Sequence, residues 1–94
     1  MYDDKAELFR ILGHPTRIRV LELLQDGPKP VRELLAELDL EPSNLSQQLA
    51  VLRRTGLVSA TRHGASVVYE LSTPHLADLL AAGRAILASK LPVA

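Results

Sequence analysis

Apolar residues recur along this chain at two different spacings. Up to Leu57 they fall three and four apart, the repeat of a helix with one buried side. From Val58 to Leu71 they fall two apart, the repeat of a strand, and after Thr73 the helical spacing returns. The pattern predicts a first helix over residues 3–12, with Asp3 and Asp4 where the helix dipole favours acids and Leu8, Phe9, Ile11 and Leu12 along one side. Gly13 ends it. His14-Pro15 opens a second helix, with Pro15 at the first helical position, where its missing N–H is no loss, and His14 helping to cap it. Ile18, Leu21 and Leu24 line one side, and Val20 and Leu23 carry the apolar surface past half the circumference, which makes this helix central. It breaks at Asp26-Gly27-Pro28.

A third helix is predicted from Val31 to Leu38, with Val31, Leu34, Leu35 and Leu38 inward and Arg32, Glu33 and Glu37 on the wet side. Only Asp39-Leu40-Glu41 separates it from a fourth helix that begins at Pro42. Two helices joined by so tight a turn make a helix-turn-helix, in which the second is the reader. Leu45, Leu49 and Leu52 give this fourth helix its core stripe, and its other side offers Ser43, Asn44, Ser46, Gln47 and Gln48, followed by Arg53 and Arg54. A surface helix ordinarily carries Glu and Lys; this one has neither between Pro42 and Thr55. Amides and hydroxyls on one rigid face, with cations beside them, suit base edges and phosphates in a DNA groove. Thr55 is read as the cap, Gly56 as the left-handed residue after it, and Leu57 as folding back on Leu52, the signature of a Schellman ending.

The period-2 segment reads as two short strands around His63-Gly64-Ala65, a β-hairpin whose tip carries Arg62, His63 and Ser66. A hairpin directly after a reading helix is a wing, placed to touch the DNA backbone or minor groove. Thr73-Pro74 opens a last helix, over about residues 74–90, with an N-cap and a proline at the first position. Leu76, Leu79, Leu80, Gly83, Ile86 and Leu87 form its apolar stripe, which runs to Leu91-Pro92. No partner for that stripe is left in so short a chain, so it is assigned with Leu8 and Ile11 of the first helix to a subunit interface.

Composition narrows the function classes. The 94 residues suit one domain, and at 47% apolar content dominated by Leu, Val, Ile and Ala they suit a packed core rather than disorder. Two tyrosines and one phenylalanine make base stacking on an aromatic platform a poor binding mode. The absence of cysteine excludes disulfides, thiol redox sensing and thiolate metal sites. No apolar run reaches the roughly eighteen residues of a membrane span and no signal peptide opens the chain, so a cytoplasmic location is expected. The net charge is zero, but it is unevenly spread. Residues 1–41 hold nine acids against six Lys/Arg, whereas 42–69 hold Arg53, Arg54 and Arg62 with no acid, and His63 in reserve. Arg17, early in the second helix, can reach a phosphate or pair with a nearby acid.

Three stretches carry a family resemblance: LGHPTRIRVLELL (12–24), SNLSQQLAVLRRTGLV (43–58) and RHGASVVYEL (62–71). Together they resemble the ArsR/SmtB family of bacterial winged-helix repressors over nearly the whole chain. The resemblance implies four helices, two strands and a fifth helix in that order, a homodimer, operator binding, and release when an effector binds. It also implies that Ser43, Ser46, Gln47 and Gln48 enter the major groove, where paired glutamines favour adenine. The effector sites of the family fit poorly. Its thiolate box would fall on Pro30-Val31-Arg32-Glu33-Leu34, and its last-helix metal set on Thr73, His75, Ile86 and Ser89, which leaves one ligand of four.

The expected architecture is therefore mostly α with a small β-hairpin, an α+β winged helix-turn-helix forming a single domain over 1–94. The expected function is a dimeric, sequence-specific repressor that binds double-stranded DNA at an inverted repeat, with no metal, cofactor or catalytic residue. A winged helix that binds proteins without reading bases is the alternative; an enzyme lacks any phosphate loop or catalytic set.

Overall fold

The computed structural model describes residues 2–90, so the expected helix stop at Leu91-Pro92 lies outside them. Helices α1 (Tyr2–Leu12) and α2 (Pro15–Leu23) come first, and α2 runs on into a single 3-10 turn over Leu24–Asp26. Strand β1 (Lys29–Pro30) leads into α3 (Val31–Leu38) and α4 (Pro42–Arg54), and strands β2 (Val58–His63) and β3 (Ser66–Leu71) lead into α5 (His75–Lys90). This is a winged helix-turn-helix, with one addition to the expected order. Strand β1 pairs antiparallel with β3, Lys29 opposite Tyr69 and Pro30 opposite Val68, which gives a three-stranded sheet in the order β1-β3-β2. The local chemistry permits it: a residue before proline is driven to extended backbone, and proline is tolerated on an edge strand, where no ladder donor is needed.

Val20 and Leu21 of α2, Leu34 and Leu38 of α3, and Leu45, Leu49 and Leu52 of α4 form the centre of one core, closed by Ile11, Leu12, Leu24, Val58 and Leu76. Each fully enclosed leucine contributes roughly 1.5–3 kcal/mol, so α4 cannot roll about its axis without losing several such contributions. The ends of the helix-turn-helix are equally determined. Asp39 adopts a left-handed conformation (φ 53°) and donates its backbone N–H to the Leu35 carbonyl at 3.1 Å, which ends α3 and turns the chain sharply. At the far end of α4 the Leu57 N–H reaches the Leu52 carbonyl (2.9 Å) and the Gly56 N–H the Arg53 carbonyl (3.1 Å), the Schellman pair expected from the sequence. Gly56 sits at φ 81°.

Two expectations are corrected here. His14 occupies the N-cap position of α2 but makes no capping hydrogen bond; its Nδ1 is enclosed without a partner instead. Ile11 and Leu76, assigned to a subunit interface, are each only 4% exposed and lie inside the protomer's own core. The stripe on α5 is thus divided: Leu76 finds a partner in the core, Leu79 and Leu80 pack against it, and Ile86 and Leu87 stand 59% and 62% exposed. The N-cap of α5 is as expected, with Thr73 Oγ1 accepting from the His75 N–H at 3.3 Å. On the surface of α1, the hydrogen bond from Arg10 holds the Glu7 carboxyl below the usual carboxylate range, and the same contact raises Arg10.

The Gly56 backbone yields a direct prediction. A Cβ there would meet nothing within 4 Å, so substitution acts only through the left-handed conformation. Gly56→Ala should lower unfolding stability by about 1–2 kcal/mol in a urea titration; an unchanged midpoint would contradict this ending for α4.

Candidate nucleic-acid interface

Burial of Leu45, Leu49 and Leu52 determines which side of α4 is free. Ser43, Ser46, Gln47, Ala50, Arg53 and Arg54 are exposed and fall on one continuous face. The face carries hydroxyls, one amide, a methyl group and two guanidinium groups, and no carboxylate. Ala50 is a residue that the sequence reading passed over, because it sought polar atoms; a small apolar side chain on such a face can lie against a thymine methyl.

Gln48 does not belong to that exposed face. It is 9% exposed, and both ends of its amide are engaged. Its Oε1 accepts from Arg17 Nε at 2.9 Å, and its Nε2 donates to Asn44 Oδ1 at 3.1 Å. Asn44 is half-buried beside it. Position 48 lies three residues after Leu45 and four before Leu52, so the spacing that marked the leucine stripe also put Gln48 at its edge. The expectation that Gln48 stands outward beside Gln47 is corrected on that ground. Arg17 is engaged at a second point as well: its Nη1 donates to the Ile11 carbonyl at 3.3 Å, so the guanidinium joins the end of α1 to α4. No sequence signal pointed to that pairing, since the partners lie 31 residues apart.

The wing is built by the β2–β3 ladder, which runs from Val58 opposite Leu71 to His63 opposite Ser66. The two-residue loop Gly64-Ala65 has positive φ only at its first position (63°), the pattern of a type II′ hairpin turn. Along β2 burial falls away from Val58 through Ala60 to Arg62, so the hairpin leaves the core and ends with Arg62 and His63 in solvent. Ser66 is half-buried, and its Oγ accepts from Arg32 Nη1 of α3 at 3.1 Å, a tie between the helix-turn-helix and the wing that the sequence reading did not foresee.

A second surface lies on the side of α5. Phe9 and Leu12 of α1, Ile18 of α2, and Leu79, Leu80, Gly83, Ile86 and Leu87 of α5 line an open apolar groove of about 540 Å³. Arg84 spans its edge to Glu22 at 3.2 Å. Positions 30–34 carry no sulfur, and the His75 imidazole lies 3.7 Å from Asp78 with both side chains exposed. Among the described residues no group of three or more His, Cys, Asp or Glu side chains is placed to hold a metal ion.

A helix-turn-helix whose second helix exposes a face free of acids, with a wing beside it, defines the class, and comparison with known proteins gives the family. The family described as bacterial regulatory protein, arsR family, matches residues 14–60. The chain is 52% identical over 89 residues to the HTH-type transcriptional regulator Rv0081 of Mycobacterium tuberculosis, covering 94% of this chain and 78% of that protein. The Rv0081 crystal structure superposes with a TM-score of 0.90, covering 97% of this chain and 92% of that one. The transcriptional repressor BigR of Xylella fastidiosa is 33% identical with a TM-score of 0.84, over 90% of this chain and 85% of that one. The homodimeric winged helix-turn-helix DNA-binding domain Mb0332 of Mycobacterium bovis is 26% identical with a TM-score of 0.82, over 96% and 82%. The chain belongs to the ArsR family of bacterial transcriptional regulators.

The inward turn of Gln48 separates it from its neighbour without any DNA present. Gln48→Ala should lower unfolding stability by about 1.5–3 kcal/mol, because it removes one of the two acceptors of a half-buried guanidinium and leaves its Nε–H unmatched. Gln47→Ala should stay within about 0.5 kcal/mol. Equal losses in parallel urea titrations would contradict the two orientations.

Proposed function

We propose that this chain is a sequence-specific DNA-binding repressor that works as a homodimer. The observation that carries the reading is the exposed, acid-free face of α4. Ser43, Ser46, Gln47 and Ala50 face the major groove and read base edges, with the half-buried Asn44 at their margin. Arg53 and Arg54 contact phosphates near the end of α4, and Arg62 and His63 of the wing contact the backbone alongside. Gln48 and Ser66, both expected at this interface, act from behind it, holding Asn44 and the wing. The zero net charge is consistent with this, because the cations are concentrated where the acids are missing.

The chain acts as one domain, with α1 and α5 pairing against a second copy. The apolar groove between them supports that assignment, as does the homodimer described for Mb0332. Leu8, Leu79, Leu80, Gly83, Ile86 and Leu87 form the contact, with Phe9 added, while Ile11 and Leu76 support it from inside. Two reading helices related by a two-fold axis then enter successive major grooves. The site of action is the cytoplasm, where operator DNA lies; among the described residues no helix is long and apolar enough to cross a membrane. Metal-thiolate sensing is not part of this reading, because positions 30–34 supply no thiolate.

Gln47→Ala is expected to lose roughly 1–3 kcal/mol on the preferred site and to relax specificity at one base pair. Arg62→Ala should weaken binding to all sequences alike and lower the salt slope by about 1. Both are read by titration of operator and random duplex at fixed salt; equal affinity of the unsubstituted protein for the two would leave an interaction module instead. Replacing both Ile86 and Leu87 with Glu should give a monomeric mass in sedimentation at micromolar concentration. A mass that stays dimeric would move the interface elsewhere.

A further inference from the structure

The Arg17–Gln48–Asn44 chain has a direction that donor and acceptor chemistry determines. A guanidinium can donate hydrogen bonds and cannot accept them. Arg17 Nε donates to Gln48 at 2.9 Å, so the atom facing it must be the carbonyl oxygen of the Gln48 amide. The Gln48 NH2 group therefore points the other way, toward Asn44 at 3.1 Å, and the atom receiving it must be the Asn44 oxygen. The second bond of Arg17, from Nη1 to the Ile11 carbonyl at 3.3 Å, pins the guanidinium so that Nε keeps facing α4. The planar Asn44 amide then has its carbonyl turned toward Gln48 and its NH2 turned away from it, on a half-buried residue next in sequence to the exposed Ser43.

We infer that Arg17 is a positioning residue that sets the polarity of Asn44, so that Asn44 meets DNA as a hydrogen-bond donor. The inference rests on the DNA-binding reading above and adds a specificity to it. An asparagine that reads adenine does so with both ends of its amide, accepting from N6 and donating to N7. With its oxygen turned toward Gln48, Asn44 presents its NH2 group to an acceptor such as guanine O6 or N7 or thymine O4. The reach of Arg17 is therefore indirect: it touches no base and alters which base is chosen.

Two substitutions and two readouts test this. Arg17→Met keeps the length of the side chain and removes every donor. Asn44→Asp keeps an acceptor for Gln48 and replaces the outward donor with an acceptor, without touching Arg17. The first readout needs no DNA: side-chain amide hydrogen exchange by NMR. In the unsubstituted protein the Gln48 amide protons should exchange roughly tenfold more slowly than those of Gln47, and Arg17→Met should abolish the difference. The second readout is the base preference of the bound sequences selected from random duplexes. The unsubstituted protein should favour guanine or thymine over cytosine, which offers only a donor in the major groove, about tenfold at one position of each half-site. Both substitutions should erase that preference while the other positions keep theirs.

Uniformly weaker binding with an unchanged base preference in both variants would overturn the inference and leave Arg17 a merely structural residue. Equal exchange of the Gln47 and Gln48 amides in the unsubstituted protein would overturn it as well. An unsubstituted protein that binds all duplexes alike overturns the DNA-binding reading and this inference with it. Discrimination that survives intact in Arg17→Met and Asn44→Asp overturns the inference alone.

Discussion

The side of α4 that Leu45, Leu49 and Leu52 occupy is decided by the core they complete with Leu21 and Leu34, all of them 2% exposed or less. A helix of 13 residues has only one other side to give to solvent. Everything proposed for the molecule depends on that constraint, because the side left over is the one carrying Ser43, Ser46, Gln47 and Ala50. The turn at Asp39 and the ending at Gly56 add to it at either end, leaving α4 little freedom to slide or to rotate. A rigid face is what base readout requires: a displacement of about an ångström would take an amide out of hydrogen-bond range.

Behind this face the structure uses polar groups where an apolar core would have sufficed. Burying an amide beside a guanidinium is costly unless each is satisfied, and here both ends of the Gln48 amide have partners. Such a network adds direction to packing. Leucines can hold a helix in place, but only a donor facing an acceptor can decide which end of an asparagine points outward. The tie between Arg32 and Ser66 extends the same principle to the wing, joining α3 to the hairpin.

Much of this was legible in the sequence because the signals were local. Pro15 and Pro42 start helices, Gly56 ends one, and the change from period 3.6 to period 2 at Val58 marks the wing; each acts within a turn or two of its own position. What escaped notice depended on groups distant in the chain. Arg17 meets Gln48 only because α2 and α4 pack together, and Arg32 meets Ser66 only because β3 lies beside α3. Strand β1 was missed because two residues are too few to show a period. Ile11 and Leu76 were misassigned for a different reason: apolar periodicity shows that a side chain is buried, without showing whether its partner is in the same chain or another. Gln48 was the avoidable error, since its spacing from Leu45 and Leu52 already placed it inward.

The central claim is that the exposed face of α4, presented twice by a dimer, reads a particular DNA sequence. Selection of bound sequences from a pool of random duplex DNA tests it most directly. The account predicts an inverted-repeat consensus whose half-site centres lie about 10 base pairs apart, one turn of the double helix. A pool that remains random after repeated rounds of binding would contradict it.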